Sequence, residues 1–112
     1  MVKEFINTQI FDKNWSKLNL TDNELKELQN YIMKNPYAGD IIEGTGGLIK
    51  LRWQLPNTGK SGGIRVLFVD FISYEKTILI NCYSKSEMDS ITDKEKAMYK
   101  EFIKEIGKEL RR

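Results

Sequence analysis

Three apolar runs decide the fold of this chain: LIKLRWQ at residues 48–54, IRVLFVDFI at residues 64–72 and TILINCY at residues 77–83. In the first run apolar side chains alternate with Lys50 and Arg52, which is typical of a strand with one face against a core. Short connections join the three runs, so we expect neighbouring strands to be antiparallel. The stretch therefore predicts an antiparallel meander.

The segment before the meander predicts one strand and two helices. Val2–Asn7 is a short apolar run that suits a strand, and Phe11 and Trp15 recur at helical spacing. Thr21–Glu24 is a capping box, in which the threonine hydroxyl and the glutamate carboxylate bond backbone N–H groups at a helix start. It opens a helix that ends near Pro36, because proline cannot continue a helix.

The segment after the meander predicts one long helix. A second capping box, Thr92–Glu95, opens it. Its apolar residues recur with a period of 3.6: Tyr99, Phe102, Ile103, Ile106 and Leu110. We expect an α+β fold in which the helices, the two N-terminal ones included, pack against one face of a small antiparallel sheet. With 112 residues, the chain is expected to form a single domain, residues 1–112.

Positive charge is concentrated in the middle of the chain. The whole chain carries a net charge of +2, whereas residues 44–85 hold six Lys or Arg and two Asp or Glu, a net charge of +4. Such a cluster attracts polyanions, RNA among them. A solvated sheet face has the same charge without binding anything, so charge alone leaves both interpretations open.

The composition excludes several kinds of site. The chain has no histidine and one cysteine, Cys82, which removes zinc sites, Ser-His-Asp triads and intrachain disulfides. The acidic and basic pairs of the last helix stand at the spacing of surface ion pairs rather than of a Mg²⁺ site. An enzyme of this composition works without a metal, a cofactor or an imidazole. The single cysteine and the lack of a long apolar run or a signal-peptide pattern predict a cytoplasmic protein.

Six side chains of the meander are candidates for one site, because the ends of its first and third strands meet the start of the second. They are Lys50, Arg52, Lys60, Arg65, Tyr83 and Lys85. Such a set suits RNA cleavage by the neighbouring 2′-hydroxyl, in which a base removes the hydroxyl proton and an arginine stabilises charge on the phosphoryl oxygens. Nearby cations lower the pKa of a lysine or tyrosine, so Tyr83 and Lys85 are both candidate bases.

The same region resembles the RelE/ParE superfamily of toxins, and its HigB-type branch most of all. The resemblance runs from about Thr21 to Thr92 and combines several short motifs. The motifs are Asn35-Pro36, Gly39-Asp40, Gly44-Thr-Gly-Gly-Leu48, Lys50-Leu51-Arg52-Trp53, Gly59-Lys60, Gly62-Gly63, Arg65-Val66 and Tyr83-Ser84-Lys85 with Glu87.

The resemblance implies a RelE-like toxin of a type II toxin–antitoxin system, a metal-independent and ribosome-dependent endoribonuclease that cleaves mRNA in the decoding site. A partner antitoxin, with a helix-turn-helix domain, neutralises it. The implied RNA-binding residues are Lys50 and Arg52, and the implied catalytic residues are Lys60, Arg65, Tyr83 and Lys85. Ile49, Ser61 and Met88 stand where relatives often carry basic residues.

Two other functions fit the same sequence. One is a non-enzymatic protein: either a toxin of the ParE type, which binds a protein target such as gyrase, or an inactive prophage remnant. The other is a plain RNA-binding module, but the sequence lacks the exposed aromatic pattern with which single-strand binders stack bases.

Overall fold

The computed structural model describes residues 3–54, 63–84 and 91–111. These residues form five strands, three helices and one 3₁₀ turn. In chain order they are β1 (Glu4–Asn7), α1 (Gln9–Lys17), α2 (Asp22–Lys34), β2 (Asp40–Ile41), β3 (Ile49–Trp53), β4 (Ile64–Phe71), the 3₁₀ turn (Ile72–Tyr74), β5 (Lys76–Ser84) and α3 (Asp93–Leu110). The α+β class expected from the sequence is confirmed. None of the helices in these ranges is long and apolar enough to cross a membrane.

The sheet has the strand order β1-β5-β4-β3-β2. The three strands of the meander are antiparallel, as expected, because their connections are short. The expectation of a wholly antiparallel sheet is wrong, since β1 pairs with β5 in the parallel direction, from Glu4 beside Lys76 to Asn7 beside Leu79. No short turn joins β1 to β5, so turn geometry does not set the relative direction of these two strands.

Helices cover both faces of the sheet. α1 and α2 place Phe11, Trp15 and Leu28 on one face, in a core cluster with Leu51 and Val66. We call this the α1/α2 face.

The other face carries α3, so the expectation that all the helices lie on one face is wrong. Ile103 of α3 is clustered there with Leu67, Val69, Ile78 and Ile80 of the central strands. Both faces of β4 and β5 are apolar, and each face requires a cover from water. We call this the α3 face.

A β-bulge changes the alternation of side chains along β5. Leu67 is paired with Asn81 and Phe68 with Leu79, so Ile80 is an extra residue without a partner on β4. Before the bulge, even-numbered Ile78 lies on the α3 face; after it, odd-numbered Tyr83 does. The bulge therefore moves Tyr83 to the α3 face.

The helix starts follow the sequence signals. Both capping boxes are present, with Thr21 and Thr92 as the N-cap residues. The two-residue strand β2 was not predicted, because so short a strand has no alternating pattern. Gly39 precedes it at φ = +86°, where a Cβ would lie 2.6 Å from Cγ2 of Ile49. Only glycine therefore permits this close approach of β2 to β3.

Candidate nucleic-acid interface

A row of three candidate side chains crosses the α3 face of the sheet. Arg52 of β3 is the register partner of Arg65 on β4, and Arg65 is the partner of Tyr83 on β5. Directly opposite residues of antiparallel strands have Cβ atoms roughly 5 Å apart and point to the same face. The pairing brings these three of the six candidates together.

The two arginines form a like-charged cross-strand pair. Arg52 is exposed and Arg65 is half-buried. Within residues 3–54, 63–84 and 91–111, neither guanidinium has a carboxylate within 4.0 Å, whereas four lysines have one. Two like charges directly opposite each other destabilise a sheet. A bound anion offsets that repulsion, and the planar guanidinium forks of arginine match the oxygens of a phosphate.

Lys50 lies two residues before Arg52 and on the same face of β3, as the alternation predicted. Its register partners are Leu67 on β4 and Asp40 on β2. Asp40 therefore lies beside Lys50, on the side of β3 away from Arg65. We infer that the positive potential of this face is highest at the arginine pair and weaker toward β2.

Tyr83 is buried, with 5% of its surface exposed. Its hydroxyl is enclosed and has no hydrogen-bond partner within the described parts of the chain. Burial raises the pKa of the Tyr83 phenol above its ordinary value of 10.0, Tyr99 and Glu95 raise it further, and Arg65 lowers it. The expectation that cations would lower this pKa is wrong for Tyr83, because the desolvation of a phenolate outweighs the attraction of one guanidinium.

Two of the six candidates, Lys60 and Lys85, lie outside the described residues, as do the sequence departures at Ser61 and Met88. The remaining departure, Ile49, is half-buried against the α1/α2 core. A basic side chain at this position of the strand would point to the α1/α2 face, away from the arginine pair.

Sequence reasoning missed the contribution of α3 to this site. Tyr99 and Glu95 lie near enough to Tyr83 to raise its pKa, and Ile91 packs in the same cluster as Tyr83. The capping box at Thr92 was the available signal, because it starts α3 shortly after the end of β5. Within the described ranges, no three His, Cys, Asp or Glu side chains are grouped so that they could hold a metal ion.

Comparison with known proteins identifies the family. A family model described as "RelE toxin of RelE / RelB toxin-antitoxin system" matches residues 3–111, nearly the whole chain. The chain belongs to the RelE toxin family. Among solved structures, it is similar to an arginine-to-alanine double mutant of the Escherichia coli toxin RelE in the free state, with a TM-score of 0.56 and 15% sequence identity. The match covers 80% of this chain and 90% of the E. coli chain, and at this identity it shows the shared RelE fold.

Proposed function

We propose that this RelE-family chain is a ribosome-dependent endoribonuclease of a type II toxin–antitoxin system, of the HigB-type branch, that acts in the cytoplasm as a single domain. The observation that carries the proposal is the Arg52–Arg65 pair on the α3 face, with Tyr83 next in the same row. Two guanidinium groups at this spacing form a site for the phosphate of an RNA backbone. Lys50 extends the site along β3 and binds a neighbouring phosphate.

The reaction is an in-line attack of the 2′-hydroxyl oxygen on the adjacent phosphorus. The base takes the 2′-hydroxyl proton, the new P–O bond forms, and the bond from phosphorus to the 5′ oxygen breaks. The products are a 2′,3′-cyclic phosphate and a 5′-hydroxyl, which receives a proton from the acid. Arg65 stabilises the negative charge that grows on the phosphoryl oxygens, with Lys60 as a second cation.

The raised pKa of Tyr83 supports one division of the catalytic roles between Tyr83 and Lys85. A phenol with a raised pKa stays protonated near neutral pH, which suits a proton donor to the leaving 5′ oxygen and not a base. We therefore propose Lys85, two residues further along the chain, as the general base, a role it performs only in its unprotonated form. Because the Tyr83 hydroxyl is enclosed, proton donation requires the side chains beside it, Tyr99 among them, to shift when RNA binds.

Cleavage of mRNA on translating ribosomes tests the proposal. We expect the wild-type chain to cut the message at ribosome-occupied codons, and Arg65→Ala and Lys85→Ala each to lower the cleavage rate by about a hundredfold or more, the scale of losing a group that stabilises transition-state charge or moves a proton. Lys13→Ala is the matched control, since Lys13 is exposed on α1 and away from the α3 face. Unchanged cleavage in both site variants would refute the site assignment.

A non-enzymatic toxin that binds a protein target predicts a different outcome of the same experiment. In that case the purified chain leaves ribosome-bound mRNA whole and inhibits DNA supercoiling by gyrase. An inactive remnant does neither. The ribonuclease and the protein-binding toxin both have an antitoxin as their partner. We propose that this antitoxin carries a helix-turn-helix domain.

A further inference from the structure

Asn81 of β5 links the helices α1 and α3 through its side-chain amide. Its oxygen accepts a hydrogen bond of 2.7 Å from the side-chain nitrogen of Asn14 on α1. Its nitrogen donates one of 3.3 Å to the hydroxyl of Tyr99 on α3. Asn81 itself is half-buried. A single side chain that is bonded to both helices is therefore in a position to fix where Tyr99 lies.

The orientation of the Asn81 amide follows from its neighbours. The backbone N–H of Cys82 donates to the side-chain oxygen of Asn81 over 2.8 Å, and within an amide only the oxygen accepts such a hydrogen bond. If the amide were reversed, two N–H donors would face each other at Cys82. The NH₂ group of Asn81 must therefore point toward α3, where the oxygen of Tyr99 accepts from it.

The β-bulge and the short length of β1 give Asn81 access to both helices. Asn81 is the register partner of Leu67, which lies on the α3 face, and directly opposite residues point to the same face. Strict alternation from Ile78 would place Asn81 on the α1/α2 face instead. β1 pairs with only the first part of β5, and α1 contacts β5 beyond it. The bulge that brings Tyr83 to the arginines therefore also brings Asn81 to Tyr99.

Tyr99 lies beside the hydroxyl that we propose as the proton donor. Tyr99 and Tyr83 pack in one cluster on the α3 face. Burial raises the pKa of the Tyr83 phenol, and Tyr99 raises it further. Of the charged groups that act on this phenol, Arg65 lowers its pKa and Glu95 raises it. The Tyr83 hydroxyl has no hydrogen-bond partner in the described ranges, so these two neighbouring tyrosines are not bonded to each other.

We propose that Asn81 is a positioning residue for RNA cleavage: it holds the Tyr99 hydroxyl and so prevents it from pairing with Tyr83, whose proton stays available to the leaving 5′ oxygen. This inference rests on the proposed function in that Tyr83 is the proton donor. A hydroxyl that is paired with a neighbouring phenol must break that hydrogen bond before it protonates the leaving oxygen. At 3.3 Å, the bond between Asn81 and Tyr99 is longer than most N–H···O bonds and weak enough to open when RNA enters.

The test is a double-mutant cycle on mRNA cleavage with Asn81→Ala and Tyr99→Phe. We expect Asn81→Ala to lower kcat about tenfold, the scale of one competing hydrogen bond, without a change in KM, because Asn81 acts through Tyr99 and not on the RNA. In the Tyr99→Phe background, which lacks the competing hydroxyl, the same substitution should change kcat by less than about twofold. A role in stability alone would lower kcat equally in both backgrounds.

A second variant and a matched control accompany the cycle. Asn81→Leu removes the amide and keeps most of the side-chain volume, so it should behave as Asn81→Ala does. Asn7→Ala is the control, since the side chain of Asn7 also joins a strand to α1, through a bond of 3.0 Å to Asp12, and is expected to keep the wild-type kcat. Urea denaturation checks that every variant is folded under the conditions of the assay.

Crystal structures test the position of Tyr99 without any cleavage. In Asn81→Ala, we expect the Tyr99 hydroxyl to lie within hydrogen-bond distance of the Tyr83 hydroxyl, whereas in the wild type the two are not bonded. The inference is overturned if Tyr99 keeps its place in that variant, if kcat falls equally in both backgrounds, or if Asn7→Ala loses as much activity as Asn81→Ala.

The two proposals fail in distinguishable ways. If the wild type cleaves mRNA and the folded Asn81 variants cleave it equally well, the positioning role alone is overturned. If the wild type never cleaves mRNA, but Tyr99 turns to Tyr83 in the crystal structure of Asn81→Ala, the nuclease alone is overturned and Asn81 keeps its role in holding Tyr99.

Discussion

Arg52 and Arg65 face each other across β3 and β4 without a neighbouring carboxylate in the described parts of the chain. Their repulsion is a cost to the folded state that an anion relieves. We therefore expect Arg52→Thr to raise the free energy of unfolding by about 0.2–1 kcal/mol at low salt while it weakens RNA binding. Urea denaturation measures the change.

The control for this prediction keeps the positive charge at position 52 and replaces the planar guanidinium group by an ammonium group. Arg52→Lys retains the repulsion, so its stability should match the wild type, while the loss of the planar guanidinium fork weakens phosphate binding. Added salt should stabilise the wild type more than Arg52→Thr, because salt screens the repulsion. If Arg52→Thr is less stable than the wild type, the two arginines do not destabilise the folded state by repulsion, and the interpretation of the pair as an anion site is contradicted.

Tyr83 gives a second prediction, on the effect of pH. Its pKa is higher in the folded chain than the ordinary value of 10.0, so the folded state holds the phenolic proton more tightly than the unfolded state does. This contribution to stability is fully present below pH 10 and is lost as the pH rises through the folded-state pKa. Tyr83→Phe should remove that part of the decline, measured by denaturation at a series of alkaline pH values.

The same substitution separates catalysis from packing. The enclosed hydroxyl of Tyr83 has no hydrogen-bond partner in the described ranges, so its removal at neutral pH should leave stability unchanged or slightly higher. If Tyr83 donates the proton to the leaving oxygen, Tyr83→Phe lowers mRNA cleavage by about a hundredfold. Full cleavage by a stable Tyr83→Phe variant would make the tyrosine a packing residue only.

At the scale of elements, the first turn of α3 links stability to the site. The hydroxyl of Thr92 accepts a hydrogen bond from the backbone N–H of Glu95, which is one of the groups beside Tyr83. Thr92→Ala is expected to cost about 1 kcal/mol of stability, the usual value of an N-cap, and to reduce cleavage as well. Urea denaturation and the cleavage assay measure the two effects.

Helix α2 supplies the matched control for that variant. Thr21 forms an equivalent capping box with Glu24, on the helix layer that covers the opposite face of the sheet. Thr21→Ala should lose a similar amount of stability and keep its cleavage rate at temperatures where it is folded. Equal losses of cleavage in the two variants would show that stability alone, and not the position of α3, controls activity.

At the scale of the whole molecule, the distribution of charge predicts how binding depends on salt. Each cation that contacts a phosphate releases counterions, so the slope of log K against log salt reports the number of contacts. We expect Arg52→Ala to reduce the magnitude of that slope by roughly 1 for the binding of RNA or ribosomes. Lys13→Ala, on the other side of the sheet, should leave the slope unchanged. Equal slopes for all three proteins would place the RNA elsewhere.

The sequence by itself determined the strands of the meander, the starts of α2 and α3, and the common face of Lys50 and Arg52. Each of these depends on a local pattern: the alternation of side chains along a strand, a capping box, or a short connection that forces antiparallel pairing. The resemblance of its motifs also indicated the toxin family. These features are encoded within a few residues of one another, so a single sequence suffices to predict them.

Only the tertiary structure decided three other features. β1 joins β5 in parallel, α3 covers the face opposite α1 and α2, and the bulge at Ile80 brings Tyr83 to the face of the arginines. The central strands are apolar on both faces, so their pattern does not specify which helix covers which face. Strict alternation along β5 would place Tyr83 on the α1/α2 face, and the bulge that prevents this depends on pairing with β4, a relation between distant residues that local patterns do not contain.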